Sequence, residues 1–462
     1  MSTKDFSLSP NLKIHMVGIG GSGMSGLALI LKKMGFQITG SDFKETATVT
    51  SLRQAGIAVA YGHAKENVPA DANLLVYSSA VNCDSNPEFL EAKRRGIAIL
   101  RRGSLLAQIS RLKRSITVAG THGKTTTSSM IGWVLESSGL RPTVIVGGEI
   151  RNLRTNALLG DGDLFVMETD ESDGSFLETQ PWIAVTTNID NDHLEHYGSM
   201  KNLQAAFLKH LSQVPADGWA ILCKDDPVIR REILPKLKVP KITYGISAGS
   251  QVQARRLKKS SLGYSFSIRY QNKLVAKVTL RIPGLHNVRN ALAAAMACRL
   301  AGVPWGKIAS ALGQYRGIRR RLEVLGKYKG IVFLDDYGHH PTEIKATIDA
   351  VCDFYKFKRL MVCFQPHRYS RTKMLANQFG EAFKKADFVW VCPIYAASEK
   401  PIANVNEELV IRSLAKAKVV AAKFPEKNFE LLKELKAGDL FLTVGAGDVW
   451  KIGEDLTRRL SF

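Results

Sequence analysis

No run of apolar residues in the 462-residue chain approaches the ~18 to 20 needed to cross a bilayer as a helix. The opening stretch MSTKDFSLSPNLK is polar and lacks the apolar core of a signal peptide. Cysteine is sparse: Cys83, Cys223, Cys298, Cys352, Cys363 and Cys392 are scattered, with no CxxC pair. That pattern excludes a disulfide scaffold and a zinc ribbon, and it predicts free thiols in a reducing cytoplasm. There is no basic tail, no aromatic–basic RNA signature and no internal repeat. Hydrophobic residues at 45% and charged residues at 23% are close to globular averages, which excludes a disordered or fibrous chain. At about 150 residues per domain, the length predicts roughly three domains.

Positive charge is in excess, with Lys+Arg 64 against Asp+Glu 42, a net charge of +22. Such a surplus suits nucleic acid, anionic lipid or anionic small substrates. The cations fall in short clusters along the chain, at 94–95, 101–102, 111–114, 255–259 and 319–321. Most of them read as solvated surface, and the expectation is no nucleic-acid partner and no membrane insertion.

Short β-type runs alternate with helical runs almost from end to end, the pattern of parallel α/β sheets. The first block has strands predicted at 13–17, 37–39, 58–61, 74–77 and 97–100. A basic segment at 111–115 precedes a fresh strand at 116–119 and marks a boundary. The second block has strands predicted at 144–146, 164–167, 183–187 and 219–222, a two- or three-stranded polar insert between 251 and 282, and an alanine-rich helix over 288–300. The third restarts after the arginine-rich segment, with strands at 332–334, 360–364, 388–392 and 440–444. The predicted domains are 1–112, 113–314 and 315–462.

Each block places chemistry at strand ends, where open parallel sheets bind ligands. Gly18, Gly20, Gly21, Ser22 and Gly23 follow the first strand and open an apolar helix, with Asp42 after the second strand. This fits a dinucleotide fingerprint, in which glycines admit phosphate and the carboxylate takes a ribose hydroxyl. A tight turn without a ligand has the same pattern, and NAD(P) is the first nucleotide it suggests. The second loop argues for ATP. Gly120, Thr121, His122, Gly123, Lys124, Thr125 and Thr126 follow an apolar strand and open a helix whose stop is expected at Gly139. Backbone N–H groups there cradle phosphates, Lys124 neutralises them and the Thr125 hydroxyl reaches Mg²⁺. The loop is shorter than GxxxxGK[ST], its first glycine lying three residues before Gly123. Glu168 and His193 end the next strands and are candidates to hold metal beside ATP, although imidazole suits softer metals than Mg²⁺. His196 could pair with His193 on zinc. Asp170, Glu171, Asp173 and Asp190 read as caps or surface charges. In the third block, 335–341 (DDYGHHP) and 365–371 (QPHRYSR) read either as a site for a carboxylate-bearing substrate or as ordinary surface loops.

Over nearly its whole length the sequence resembles the Mur ligase family. The resemblance is carried by GTHGKTTT (120–127), ETDESD (168–173), TNIDNDHLEHYG (187–198) and GLHNVRNALAA (284–294). GIGGSGMSGLA (18–28), DDYGHHPTE (335–343) and FQPHRYSRT (364–372) point to the alanine-adding branch. The resemblance replaces the nicotinamide reading. It implies three α/β domains: a Rossmann-like one for a UDP-sugar, a central parallel-sheet ATPase domain with a small β insert, and a Rossmann-like C-terminal one for the amino acid. It further implies an ATP-dependent ligase joining L-alanine to UDP-N-acetylmuramate in peptidoglycan precursor synthesis, with Mg²⁺ or Mn²⁺, as a monomer or weak homodimer. Gly18 to Gly23, Asp42, Ser78, Ser79 and Ala80 would bind the UDP-sugar. Gly120 to Thr126, Asn287, Arg321 and Asp336 would bind ATP, and Thr125, Glu168 and His193 the metal. His339, Arg368 and Arg371 would bind the amino acid or the muramyl carboxylate, with Lys124, Arg321 and His339 catalytic. A branch that adds a preformed murein tripeptide to the same UDP-sugar is the alternative.

Overall fold

A computed structural model describes residues 12–78, 81–172, 174–191, 194–260, 263–397 and 399–461. Three sheets follow one another along the chain. The first contains β1 (Lys13–Val17), β2 (Gln37–Asp42), β3 (Ala58–Tyr61), β4 (Leu74–Tyr77) and β5 (Ala98–Arg101), all parallel, in spatial order 3-2-1-4-5. Strand order reverses between β1 and β4, so a crevice opens where the first glycine loop leaves β1. The helix Ser22–Lys33 lays Met24, Leu27, Ala28 and Leu31 on this sheet.

The second sheet has ten strands. They are β6 (Arg114–Ala119), β7 (Thr143–Ile150), β8 (Thr155–Leu158), β9 (Leu164–Glu168), β10 (Ile183–Thr186), β11 (Trp219–Cys223), β12 (Lys241–Gly245), β13 (Val252–Lys259), β14 (Tyr264–Tyr270) and β15 (Lys273–Leu280), in order 15-14-13-12-11-10-6-9-7-8. β6 is central and parallel to both β9 and β10. The insert expected between 251 and 282 is the three-stranded end β13–β15. The helix Leu285–Leu300 is buried nearly all round, and its alanines at 291, 293, 294, 295 and 297 give it the slim profile such a position needs. Gly139, with φ +86, follows the helix Lys124–Ser137 at the expected stop.

The third sheet comprises β16 (Glu323–Tyr328), β17 (Ile331–Asp336), β18 (Leu360–Phe364), β19 (Phe388–Val391), β20 (Ala421–Lys423) and β21 (Leu440–Val444), in order 16-17-21-18-19-20. Only the pair β16–β17 within it is antiparallel. Apolar residues cover both faces, as a parallel sheet between helices requires.

Four strands escape the sequence pattern: β8, β12, β16 and β20. β8 and β20 are edge strands of four and three residues. β16 is a half-exposed edge broken by a bulge between Val324 and Gly326, so it shows no apolar run. β12, KITYG, is flanked by turn residues that mask its alternation.

The three sheets make two compact units. One joins residues up to 258 with 265–280 and 287–315; the other is 259–264, 281–286 and 316 onward. The first two sheets share a core, since Ile145, Ala157, Phe165 and Met167 of the second pack with Met24, Leu27 and Leu105 of the first. The helix Arg102–Ser110 also meets the short turn Ser175–Glu178 so closely that a Cβ on Gly103 would lie 2.3 Å from that of Ser175.

Candidate active site

The loop between β6 and the helix Lys124–Ser137 turns through Gly120 at φ +128 and Gly123 at φ +82, conformations that favour glycine. A Cβ on Gly120 would also strike the Thr187 hydroxyl. The segment after β10 clamps this loop. Thr121 N donates to Asn188 O at 3.1 Å. His122 N donates to Asn188 Oδ1 at 2.9 Å, while Asn188 Nδ2 and Thr187 Oγ1 donate to His122 O at 2.8 and 2.6 Å. Asp190 N donates to Thr121 Oγ1, and the His122 ring meets the Asp190 carboxylate at 3.2 Å. From the helix Leu285–Leu300, the Asn290 amide lies 2.9 Å from where a Cβ on Gly123 would project, and Asn290 donates to Asn287 Oδ1.

Lys124 Nζ donates to Gly120 O at 2.7 Å and to both oxygens of Glu171, at 2.8 and 3.0 Å. Burial works against its charge, but Glu171 and Asp170 hold the ammonium above its ordinary range. Glu171 is 1% exposed, so the expectation of a cap or surface charge is wrong for it. Four acidic residues crowd 168–173, and the turn after β9, not the spacing, decides which point inward. Asp170 caps no helix either: it accepts from Ser172 N within the turn, and against the effect of burial the Lys124 charge beside it helps hold its carboxyl below the ordinary range. Asp173 lies outside the described residues.

Glu168 ends β9. Burial pushes its carboxyl up, opposed by a hydrogen bond from Thr125 and by the Lys124 charge. Glu168 Oε2 is buried with no hydrogen-bond partner among the described residues. An orphaned carboxylate oxygen beside a threonine hydroxyl fits a hard divalent cation of the Mg²⁺ type. His193 lies outside the described residues, as do Ser79 and Ala80. His196 packs its ring on Tyr197 at 4.7 Å.

At the first glycine loop, Asp42 Oδ2 accepts from Gly20 N at 2.8 Å and Oδ1 from Lys44 N at 3.0 Å. The carboxylate expected on a ribose therefore also braces its own loop. Gly18 takes φ +73, and its N–H and that of Ile19 bond to Ser41 O. Ser78 N donates to Val17 O at the crevice between β1 and β4. Arg102 approaches Gly23, 2.9 Å from where its Cβ would project, and lies 4.0 Å from Asp170. It spans the first glycine loop and the acidic turn near Lys124, a role that spacing gave no hint of.

In the other unit, Asp336 is buried at the end of β17 and accepts from Leu322 N, Gly338 N and Thr347 Oγ1. It thereby fixes the turn that carries Arg321, whose guanidinium lies 5.2 Å from the Tyr337 ring centre. His339 N donates to Glu343, and its ring lies 5.6 Å from that of His367. His367 stacks on Tyr395 at 5.6 Å and 8° and meets Arg371 Nη1 at 3.3 Å. Burial, then the neighbouring His339, Arg371 and Arg368, drive its imidazole down to about 3, so the ring is neutral. Arg368 adopts φ +69, with its Nε buried and without a partner among the described residues. Of the adjacent histidines, His340 caps the helix Pro341–Phe354 through Thr342 N. His367 sits inside a motif already singled out, whereas Tyr395 carries no sequence signal.

Comparison with known proteins follows the same three-part division. The model of the Mur ligase family catalytic domain matches residues 13–114, that of the Mur ligase middle domain 118–298, and that of the Mur ligase glutamate ligase domain 320–447. The chain is 46% identical over 446 residues to the UDP-N-acetylmuramate–L-alanine ligase of Endomicrobium trichonymphae, covering 96% of this chain and 98% of that one. It is 44% identical to the enzyme of that name from Aquifex aeolicus, covering 97% and 98%. The crystal structure of the UDP-N-acetylmuramate-alanine ligase of Thermotoga maritima superimposes with a TM-score of 0.83 at 30% identity, over 98% and 99% of the two chains. A murein peptide ligase from Psychrobacter arcticus shares the fold, with a TM-score of 0.75 at 24% identity over 97% and 99%. By motif order, by fold and by relatives matched across nearly its full length, the chain belongs to the Mur ligase family.

Proposed function

We propose that this chain is an ATP-dependent ligase that joins L-alanine to the carboxylate of UDP-N-acetylmuramate through an acyl phosphate, releasing ADP and phosphate. The observation that carries the reading is the Lys124 loop, braced by Asn188 and set beside the paired Glu168 and Thr125, in a chain so similar to relatives of that name.

The difficulty of the reaction is electrostatic. A muramyl carboxylate attacking a phosphoryl group brings anions together, and at ~4 Å and an effective dielectric near ~20 each unit pair repels by about 4 kcal/mol. Lys124 neutralises phosphate oxygens, and the N–H groups of 120–126 hold them in register. Thr125 and Glu168, with His193, would hold Mg²⁺, which supplies further charge neutralisation when bound. The glycine loop at 18–23, Asp42 and 78–80 are assigned to the UDP-sugar, and Asn287 to ATP. In the other unit, Arg321 and Asp336 are assigned to ATP and His339, Arg368 and Arg371 to the amino acid, with His339 the candidate base for the L-alanine ammonium.

The test is phosphate release from ATP and Mg²⁺ with UDP-N-acetylmuramate, with L-alanine present, absent, or replaced by L-Ala-γ-D-Glu-meso-diaminopimelate. Release that requires both UDP-sugar and L-alanine is the expected result. Preference for the tripeptide would move the enzyme to the peptide-adding branch, and no release with either would sink the ligase reading.

A further inference from the structure

The charge surplus is concentrated. Residues 233–322 contain 18 lysines and arginines and no aspartate or glutamate, so this stretch holds most of the +22. Part of it forms β13–β15, at one end of the ten-stranded sheet, with β15 its edge. One face of these strands is apolar and buried, through Tyr264, Phe266, Ile268, Val278 and Leu280. Strand alternation puts Arg269 and Lys277 on the other face, among Ser265, Ser267 and Thr279. Thr279 Oγ1 donates to Ser265 Oγ across that face at 3.3 Å. Arg255, Arg256 and Lys258 are exposed on β13 and Lys273 at the hairpin tip. None of these four or Lys277 pairs with a carboxylate among the described residues. Leu274, 49% exposed, falls by the same alternation on the face of Val278 and Leu280, away from these cations.

A surface with so many cations and no internal counter-charge fits an anionic partner. Single-stranded nucleic acid would need aromatic rings on the cationic face to stack its bases. Here the rings are on the other side: Tyr264 and Phe266 are buried, and Tyr270 packs against Trp305 at 5.9 Å. An anionic bilayer needs what is present, namely a broad cationic face with hydroxyls. We infer that the outer face of β13–β15 docks the protein peripherally on anionic phospholipid headgroups. No helix among the described residues is long and apolar enough to cross the bilayer, so the association is with the surface.

The experiment is sedimentation of the full chain with vesicles of phosphatidylcholine alone or mixed with phosphatidylglycerol, at low and high salt. Binding should require the anionic lipid and weaken with salt. With each cation near the surface contributing about 1 kcal/mol, Arg255→Gln/Lys273→Gln/Lys277→Gln should bind ~100-fold more weakly. Leu274→Ser, on the opposite face, should bind as the parent does, and both variants should retain phosphate release in solution, showing that they fold. Equal binding to neutral vesicles, or undiminished binding by the triple variant, would overturn the inference. So would duplex or single-stranded DNA that binds this face while anionic vesicles do not.

Discussion

The Lys124 ammonium rests on Glu171 and on the Gly120 carbonyl, with Asp170 and Glu168 adding negative charge nearby. Removing one partner of a buried ion pair strands the other, at about 3–5 kcal/mol. Glu171→Ala should therefore lower the denaturant midpoint sharply, and ATP should restore more stability to this variant than to the parent. Equal ATP shifts in the two proteins would mean that phosphate does not replace Glu171. Lys124→Ala should abolish phosphate release while UDP-sugar binding, measured calorimetrically, is kept. A different residue sets an acid limit on the fold. His210 is fully buried beside Phe176 O, and burial pushes its imidazole from 6.5 down to about 4, against the pull of that carbonyl. Between these values the unfolded chain binds a proton that the folded chain refuses, so stability falls as pH drops through that window, by ~3 kcal/mol in all. Urea melts of His210→Gln should show a flatter pH dependence there. At this scale the sequence displays Lys124, Thr125 and Glu168, because a loop after an apolar strand constrains them. It hides Glu171, Asn188, Asn290 and His367, whose directions depend on turns and packing far along the chain.

Asn188 shows what a connecting segment does for the loop beside it. Its amide both accepts from and donates to the His122 backbone, locking the 120–126 loop to the end of β10. Asn188→Ala removes two hydrogen bonds of about 1 kcal/mol each, so KM for ATP should rise roughly tenfold or more, with UDP-sugar affinity unchanged. An unaltered KM would mean that the loop holds its shape without the clamp. Elements were legible wherever burial on both faces produced continuous apolar runs. Strands at 13–17, 74–77, 360–364 and 440–444 lie where their residues predict. The short or exposed edges β8, β16 and β20 were not, since an edge strand needs neither length nor an apolar pattern to pair.

The field of the whole molecule acts on substrates that are themselves anions. With a net charge of +22, encounter with ATP and a UDP-sugar should be faster at low ionic strength. Initial rates should show kcat/KM for both falling as salt rises, with kcat nearly constant; a flat kcat/KM would mean the surplus charge does not face the substrate crevices. Three sheets could be counted from the sequence. That the first two form one body could not, because their common core joins Leu27 to Phe165, which no local pattern connects. The close approach of Gly103 to Ser175 gives that union a consequence for substrate choice. Helix and turn abut without room for a methyl group, so if the first glycine loop holds the UDP-sugar and the Lys124 loop holds ATP, as proposed, the two would be kept a set distance apart. On that proposal a UDP-sugar held at one end would present its carboxylate at a distance set by its own length. An analogue longer by a single methylene should still bind, yet deliver its carboxylate out of line with the phosphoryl group and turn over poorly.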